Sequence, residues 1–135
     1  MKELSVVDDE LTARGFTVEY FSNPSNTELC VRAAESDAVF INVHVMPVYG
    51  TTRFAGNAVQ SLRNSFWHGH PKVVFTSFGD PHKLYEMPYA HEFVMRFSNT
   101  PSSQRAAVKV WLGEIEPTGK TPVRLPGFFE LGAGQ

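Results

Sequence analysis

Leu4, Val7 and Leu11 fall at i, i+3 and i+7, a spacing that predicts an opening helix with one buried face. Gly15 stands where such a helix ends in the left-handed conformation. Phe16 to Phe21 (FTVEYF) then alternates apolar and polar residues and is rich in β-formers, which predicts a strand. After a turn at Ser22 to Pro24, Ser25 and Glu28 make the S-x-x-E capping box. The helix it opens runs through Leu29, Ala33 and Ala34 to about Ser36. Ala38 to Val45 (AVFINVHV) is a mostly apolar run of strand length.

Residues 46–53, with Pro47 and Gly50, have loop composition. Ala55, Ala58, Val59, Leu62 and Phe66 mark a helical face closed by Trp67, His68 and Gly69. Lys72 to Phe78 (KVVFTSF) reads as a strand, Gly79-Asp80-Pro81 as a turn, and His82 to Glu86 as a short turn of helix. His91 to Phe97 (HEFVMRF) alternates as a further strand. Thr100 before Pro101 supplies an N-cap and a proline at the first helical position. The helix that follows presents Ala107, Val108, Trp111 and Leu112, and Gly113 stops it.

Strands alternating with helices predict an α/β fold, a three-layer αβα sandwich with a mostly parallel sheet in flavodoxin-like order. Residues 1–113 form this sandwich domain. Residues 114–135, rich in proline and glycine, form an extended C-terminal tail packing on the same domain. One irregularity stands out. A doubly wound domain opens on a buried strand, whereas this pattern opens on a helix, so a first central strand is missing from the predicted order. The 120–125 tail or a swapped partner could fill that gap, and a homodimer is expected.

Composition narrows the function. At 135 residues the chain suits one domain and is too short for a TIM barrel. A net charge of −2 leaves no basic surplus to neutralise phosphates, so no nucleic-acid partner is expected. No run approaches a membrane span, and the acidic start MKELSVVDDE is unlike a signal peptide; the expectation is a cytoplasmic protein off the membrane. Cys30 is the lone cysteine and reads as a small buried hydrophobe.

Ligands of open α/β sheets bind beyond the carboxyl ends of the strands. Those loops hold His44, Tyr49, Arg53, Asp80, His82 and Asn99, and the first five are the candidate ligand-binding residues. Asp80 with His82 could form an acid/base or binding pair; alternatively Asp80 caps the short helix and His82 is merely exposed. His68-Gly69-His70 offers two metal ligands without a third, so no metal site and no cofactor are expected. The chain has no G-x-G-x-x-G, no Walker A lysine motif and no G-x-S-x-G elbow. Eight of the fourteen carboxylates lie within residues 1–37, and none lies between 38 and 79. A glycosidase needs two carboxyl groups, or an equivalent proton donor, across a cleft, and no such pair is visible, so no catalytic residue is assigned.

Val73-Val74-Phe75-Thr76-Ser77-Phe78-Gly79-Asp80-Pro81 resembles the strand and turn of the C-terminal α/β sandwich domain of glycoside hydrolase family 3, in its β-N-acetylglucosaminidase-like branch. Leu84-Tyr85-Glu86-Met87-Pro88, Ser103-Gln104-Arg105-Ala106-Ala107-Val108, Trp111-Leu112-Gly113-Glu114, Gly119-Lys120-Thr121-Pro122-Val123 and Leu125-Pro126-Gly127-Phe128-Phe129 follow in the family's order. Upstream, Gly15-Phe16-Thr17-Val18 and Ser36-Asp37-Ala38-Val39 are similar to its earlier strands. Asp80, His82 and Thr121 depart from the family's usual asparagine, tyrosine and leucine. The resemblance implies a domain related to carbohydrate metabolism that partners a TIM-barrel glycosidase domain and contacts carbohydrate. In this branch the nucleophilic aspartate and the proton-donating histidine both lie on the barrel, so neither transfers to a position here, and no hydrolysis by the chain alone is expected. A flavodoxin-like module binding a small anionic ligand, or an oligomerisation module, is the alternative.

Overall fold

The computed structural model describes residues 4–22, 25–44 and 72–134. Helix α1, Ser5–Ala13, buries Val7 and Leu11, with Leu4 at its mouth, as the spacing predicted. Gly15 ends it at φ 88°, a conformation that costs an L side chain about 1–2 kcal/mol. Helix α2, Asn26–Ala34, is capped by Ser25, whose Oγ accepts from the Glu28 N–H at 3.3 Å. Ala33 is buried, but Cys30 is exposed, which corrects the expectation of a buried thiol. The short helix packs only part of one face, and position 30 lies off it.

Three strands form one sheet: β1 (Val39–Val43), β2 (Val73–Phe78) and β3 (Phe93–Arg96), all parallel, in the order β1-β2-β3. The registers Phe40↔Val74, Asn42↔Thr76 and Phe78↔Arg96 put these residues on one face. Helix α3, Pro101–Trp111, lies against that face beside α1. Thr100 caps α3, its Oγ1 accepting from the Ser103 N–H, and Gly113 stops it at φ 68°. Val7, Leu11, Phe78, Ala107 and Val108 make the core on this side, with Phe40, Trp111 and Leu112 packed around it. Trp111 stacks on Phe40 with centroids 4.6 Å apart, and its indole N–H donates to Thr76 Oγ1 at 3.0 Å. The opposite face carries a second cluster of Val43, Phe75 and Met87, joined by Ile41, Ala90 and Phe93. This is the α/β sandwich architecture that the alternation implied.

Residues 16–21 depart from expectation. They form no strand and join no ladder among the described residues. Phe16 and Tyr20 are about half exposed, and Val18 alone packs against the α1–α3 core. A strand needs a neighbour to take up its N–H and C=O groups, and no strand among the described residues pairs with this segment. The predicted helix over 55–66 and the loop before it lie outside the described residues.

The tail closes on itself. Thr121 N–H donates to Ala133 O, Gly132 N–H to Thr121 O and Leu125 N–H to Phe129 O, at 2.8–2.9 Å, and Leu125 is fully buried. It therefore does not fill the gap beside β1. Arg14 ties its start to α1 through Glu114 at 2.5 Å, and Tyr85 ties its end by donating to Pro126 O at 2.9 Å. Among the described residues, no helix is long and apolar enough to cross a membrane.

Candidate functional site

The carboxyl ends of the parallel strands bring His44, the Gly79–Glu86 turn and the Phe97–Thr100 loop to one edge of the sheet. Ser77, near the end of β2, donates from Oγ to the Asp80 carbonyl at 2.7 Å and fixes the turn. Asp80 then caps a 3-10 helix, Pro81–Glu86, by accepting from the His82 N–H at 3.0 Å. Proline at the first position of that helix loses no hydrogen bond.

The pitch of this helix explains its charges. Side chains three apart eclipse in a 3-10 helix, so Asp80, Lys83 and Glu86 line up. Lys83 Nζ stands 3.8 Å from Asp80 Oδ2 and 3.5 Å from Glu86 Oε1, and the lysine is only 1% exposed. A lysine so buried is held by its partners. Sequence reasoning missed Lys83; its signal was the D-x-x-K-x-x-E spacing, which becomes informative only once the turn is known to be 3-10.

The same carboxylate accepts from the His82 ring, Nδ1 to Oδ1 at 2.8 Å. A carboxylate accepts, so the contact fits the ring tautomer that donates from Nδ1 and leaves Nε2 as an acceptor. His82 is 57% exposed, with Tyr85 stacked alongside at 6.4 Å between centroids and Phe128 of the tail edge-on to Tyr85 at 5.3 Å. The result is an open aromatic ledge with a wet imidazole at one end, backed by a buried ion cluster.

Asp80 thus caps the helix, and the same carboxylate contacts the exposed His82 ring. Its oxygens are committed to the cap, His82 and Lys83, and Glu86 is committed to Lys83, so the turn offers no carboxylate free to attack a substrate. His44 directly follows β1, is half-buried and has partners of its own. Tyr49 and Arg53, like His68 and His70, lie outside the described residues. Asn99 serves α3 through its carbonyl, which accepts from Gln104 Nε2 at 2.7 Å.

No protein-family profile matches the sequence, and no curated protein does either. One solved structure is similar in fold. It is described as a GCN5-related glucosamine N-acetyltransferase region in a fungal multi-domain family 3 β-N-acetylglucosaminidase, and it matches with a TM-score of 0.71 at 18% identity. The match covers 98% of this chain and 15% of that one. At that identity the likeness establishes the α/β fold, and the chain spans about a seventh of the length of the protein it matches.

Proposed function

We propose that the chain is an accessory α/β sandwich domain related to family 3 β-N-acetylglucosaminidases, which partners a catalytic barrel and does not hydrolyse glycosides alone. The observation that carries the reading is the agreement of two independent features. Ordered segments across the sequence resemble the C-terminal sandwich of that family, and nearly the whole chain superposes on part of a multi-domain enzyme of that class. The site chemistry supports the non-hydrolytic half, since Asp80 and Glu86 both flank the one Lys83 ammonium rather than face each other across a cleft. In this reading the His82–Tyr85–Phe128 ledge is the sugar-facing surface. Tyr85 offers a ring face, and Nε2 of His82 accepts a hydroxyl or acetamido hydrogen, a mixture suited to an amphipathic small ligand. His44, which follows β1, belongs to the same edge, Tyr49 and Arg53 stay ligand candidates on the sequence alone, and residues 114–135 belong to the domain because they supply its Phe128 wall.

Titrating the labelled protein with N-acetylglucosamine, flavin mononucleotide and acetyl-coenzyme A, read by amide chemical shifts, tests this. The expected result is movement of residues 80–86 and 128 with the sugar alone, together with no turnover of chromogenic N-acetylglucosaminide. Perturbation by the flavin instead favours the flavodoxin-like alternative, and perturbation by acetyl-coenzyme A favours an acetyltransferase relationship. Turnover of the glycoside overturns the non-hydrolytic reading.

A further inference from the structure

Beyond α3 the chain passes from a fixed point into an unbonded stretch. Glu114 is held twice: its N–H donates to Lys109 O at 2.8 Å, and its carboxylate accepts from Arg14 Nε at 2.5 Å. Residues 115–120, Pro117 and Gly119 among them, are all exposed. Among the described residues, none of these six enters a hydrogen bond or an ion pair. A backbone stretch bonded only to water lies at the low-stability end of a fold.

Residues 121–133, by contrast, bond among themselves. Thr121 N–H donates to Ala133 O at 2.8 Å and Gly132 N–H to Thr121 O at 2.9 Å, which closes the base. Thr121 Oγ1 donates to Val123 O at 2.9 Å, and Arg124 pairs with Glu130 at 2.9 Å across the loop. At the foot, Gly134 lies so close to the Gly119 carbonyl that a Cβ there would collide with it. This is an Ω-loop, its ends together and its interior bonded to itself. Its joint to the body is small. Among the described residues one hydrogen bond crosses it, from Tyr85 OH to Pro126 O at 2.9 Å, beside the edge-on contact of Tyr85 with Phe128. Leu125 is the one buried residue of the loop. A loop this short encloses no core of its own, so the body closes over that side chain.

We propose that residues 121–133 are a lid, which swings as one piece on the 115–120 hinge and carries the Phe128 wall onto and off the His82–Tyr85 ledge. Tyr85 is both latch and floor: its hydroxyl holds Pro126, and its ring offers the face for the ligand. A ligand between Tyr85 and Phe128 touches both only when the lid is down. It therefore binds the closed form better and shifts the population towards it, which makes lid seating the regulator of the ledge. The hinge motion stands on the bonding pattern alone, whereas its coupling to a sugar rests on the reading of the ledge proposed above.

Leu125→Cys in a Cys30→Ser background puts the sole thiol under the lid, and its reaction with a maleimide measures opening. Val108→Cys in the same background puts the thiol in the α1–α3 core and reports global unfolding. The Leu125→Cys thiol is expected to react about tenfold faster or more, since local opening is easier than global unfolding. Its rate should vary little with urea, because a hinge motion exposes little surface. Tyr85→Phe removes the latch and is expected to speed labelling about fivefold. N-acetylglucosamine at about ten times its Kd slows labelling about tenfold. The Thr121, Leu125 and Gly132 amides exchange more slowly than the lid opens, because the loop moves intact. Equal rates and the same steep urea dependence for the two thiols overturn the lid. So does exchange of those three amides at the labelling rate, which means that the loop unravels. Relaxation dispersion checks the motion without a new thiol: one exchange rate shared across 121–133 is expected. Rates that differ from residue to residue, or no exchange even in Tyr85→Phe, overturn it. A sugar that shifts residues 80–86 without slowing the thiol overturns the coupling. A sugar that shifts nothing removes the ledge reading, while the labelling rates still decide the hinge motion.

Discussion

Asp80→Asn and Asp80→Ala separate the two duties of one carboxylate. Asparagine caps a helix as well as aspartate does, so Asp80→Asn keeps the cap on the His82 N–H and removes only the charge. Lys83 is 1% exposed and is then left with Glu86 at 3.5 Å in place of two anionic neighbours. At 3.8 Å the gross attraction between Lys83 and Asp80 is about 4 kcal/mol at an effective dielectric of ~20. Much of that offsets the desolvation of the ammonium, and Asp80 itself keeps 13% of its exposure, which screens the pair further. The expected net loss is about 1–2 kcal/mol for Asp80→Asn. Asp80→Ala also removes the cap, adding about 1 kcal/mol, for a total of about 2–3 kcal/mol. With an unfolding entropy of about 2.1 cal/mol/K per residue, each kcal/mol lowers Tm by about 3–4 °C. Urea denaturation and calorimetry of the three proteins give the order wild type, Asn, Ala. An Asp80→Asn protein as stable as the wild type, or more so, refutes the reasoning, because the charge would then be kept at a cost to the fold and its reason would lie in a ligand.

Thr76→Val leaves the buried indole N–H of Trp111 without its acceptor and is expected to cost about 1–3 kcal/mol; in a double-mutant cycle with Trp111→Phe, coupling of about 0.5–1.5 kcal/mol checks that α3 sits on β2 in the observed register. Gly113→Ala, at φ 68°, is expected to lose about 1 kcal/mol by strain alone, since open space surrounds the site, and calorimetry measures it. The tether of α1 to the tail responds to pH. Hydrogen bonds from Arg14 hold both Glu10 and Glu114 below the usual carboxylate value. Their contribution is present above the ordinary glutamate pKa of about 4.3 and lost as pH falls through the lowered folded values. A stability profile in low salt is therefore expected to drop below about pH 4, less steeply in Arg14→Gln, and high salt flattens it because solvent reaches all three groups.

The helices were the most legible part of the chain, because their signals are local. Leu4, Val7 and Leu11 announce a face, Ser25 and Thr100 announce starts, Gly15 and Gly113 announce stops, and the structure places each where its chemistry requires. The strands at 39–43, 73–78 and 93–96 were legible as apolar runs, though their parallel registers are a property of the assembled sheet. At the site, the Asp80–His82 contact was visible because the two residues are two apart in a turn. The burial of Lys83 was not, since it depends on the 3-10 pitch that eclipses positions 80, 83 and 86. The ledge formed by Tyr85 and Phe128 was hidden for a different reason: 43 positions separate them, and only the return of the tail brings them together.

Residues 16–21 show what a strand-like pattern lacks on its own. FTVEYF has the alternation and β-propensity of a strand and comes after a correctly terminated helix, yet it forms none. Propensity is worth at most about 1 kcal/mol per residue and depends on cross-strand neighbours. Among the described residues no strand pairs with this segment, and Val18 alone packs into the α1–α3 core while Phe16 and Tyr20 stay half exposed. An alternating pattern thus becomes a strand only where a ladder partner takes up its backbone groups, and here packing of a single side chain holds the segment instead.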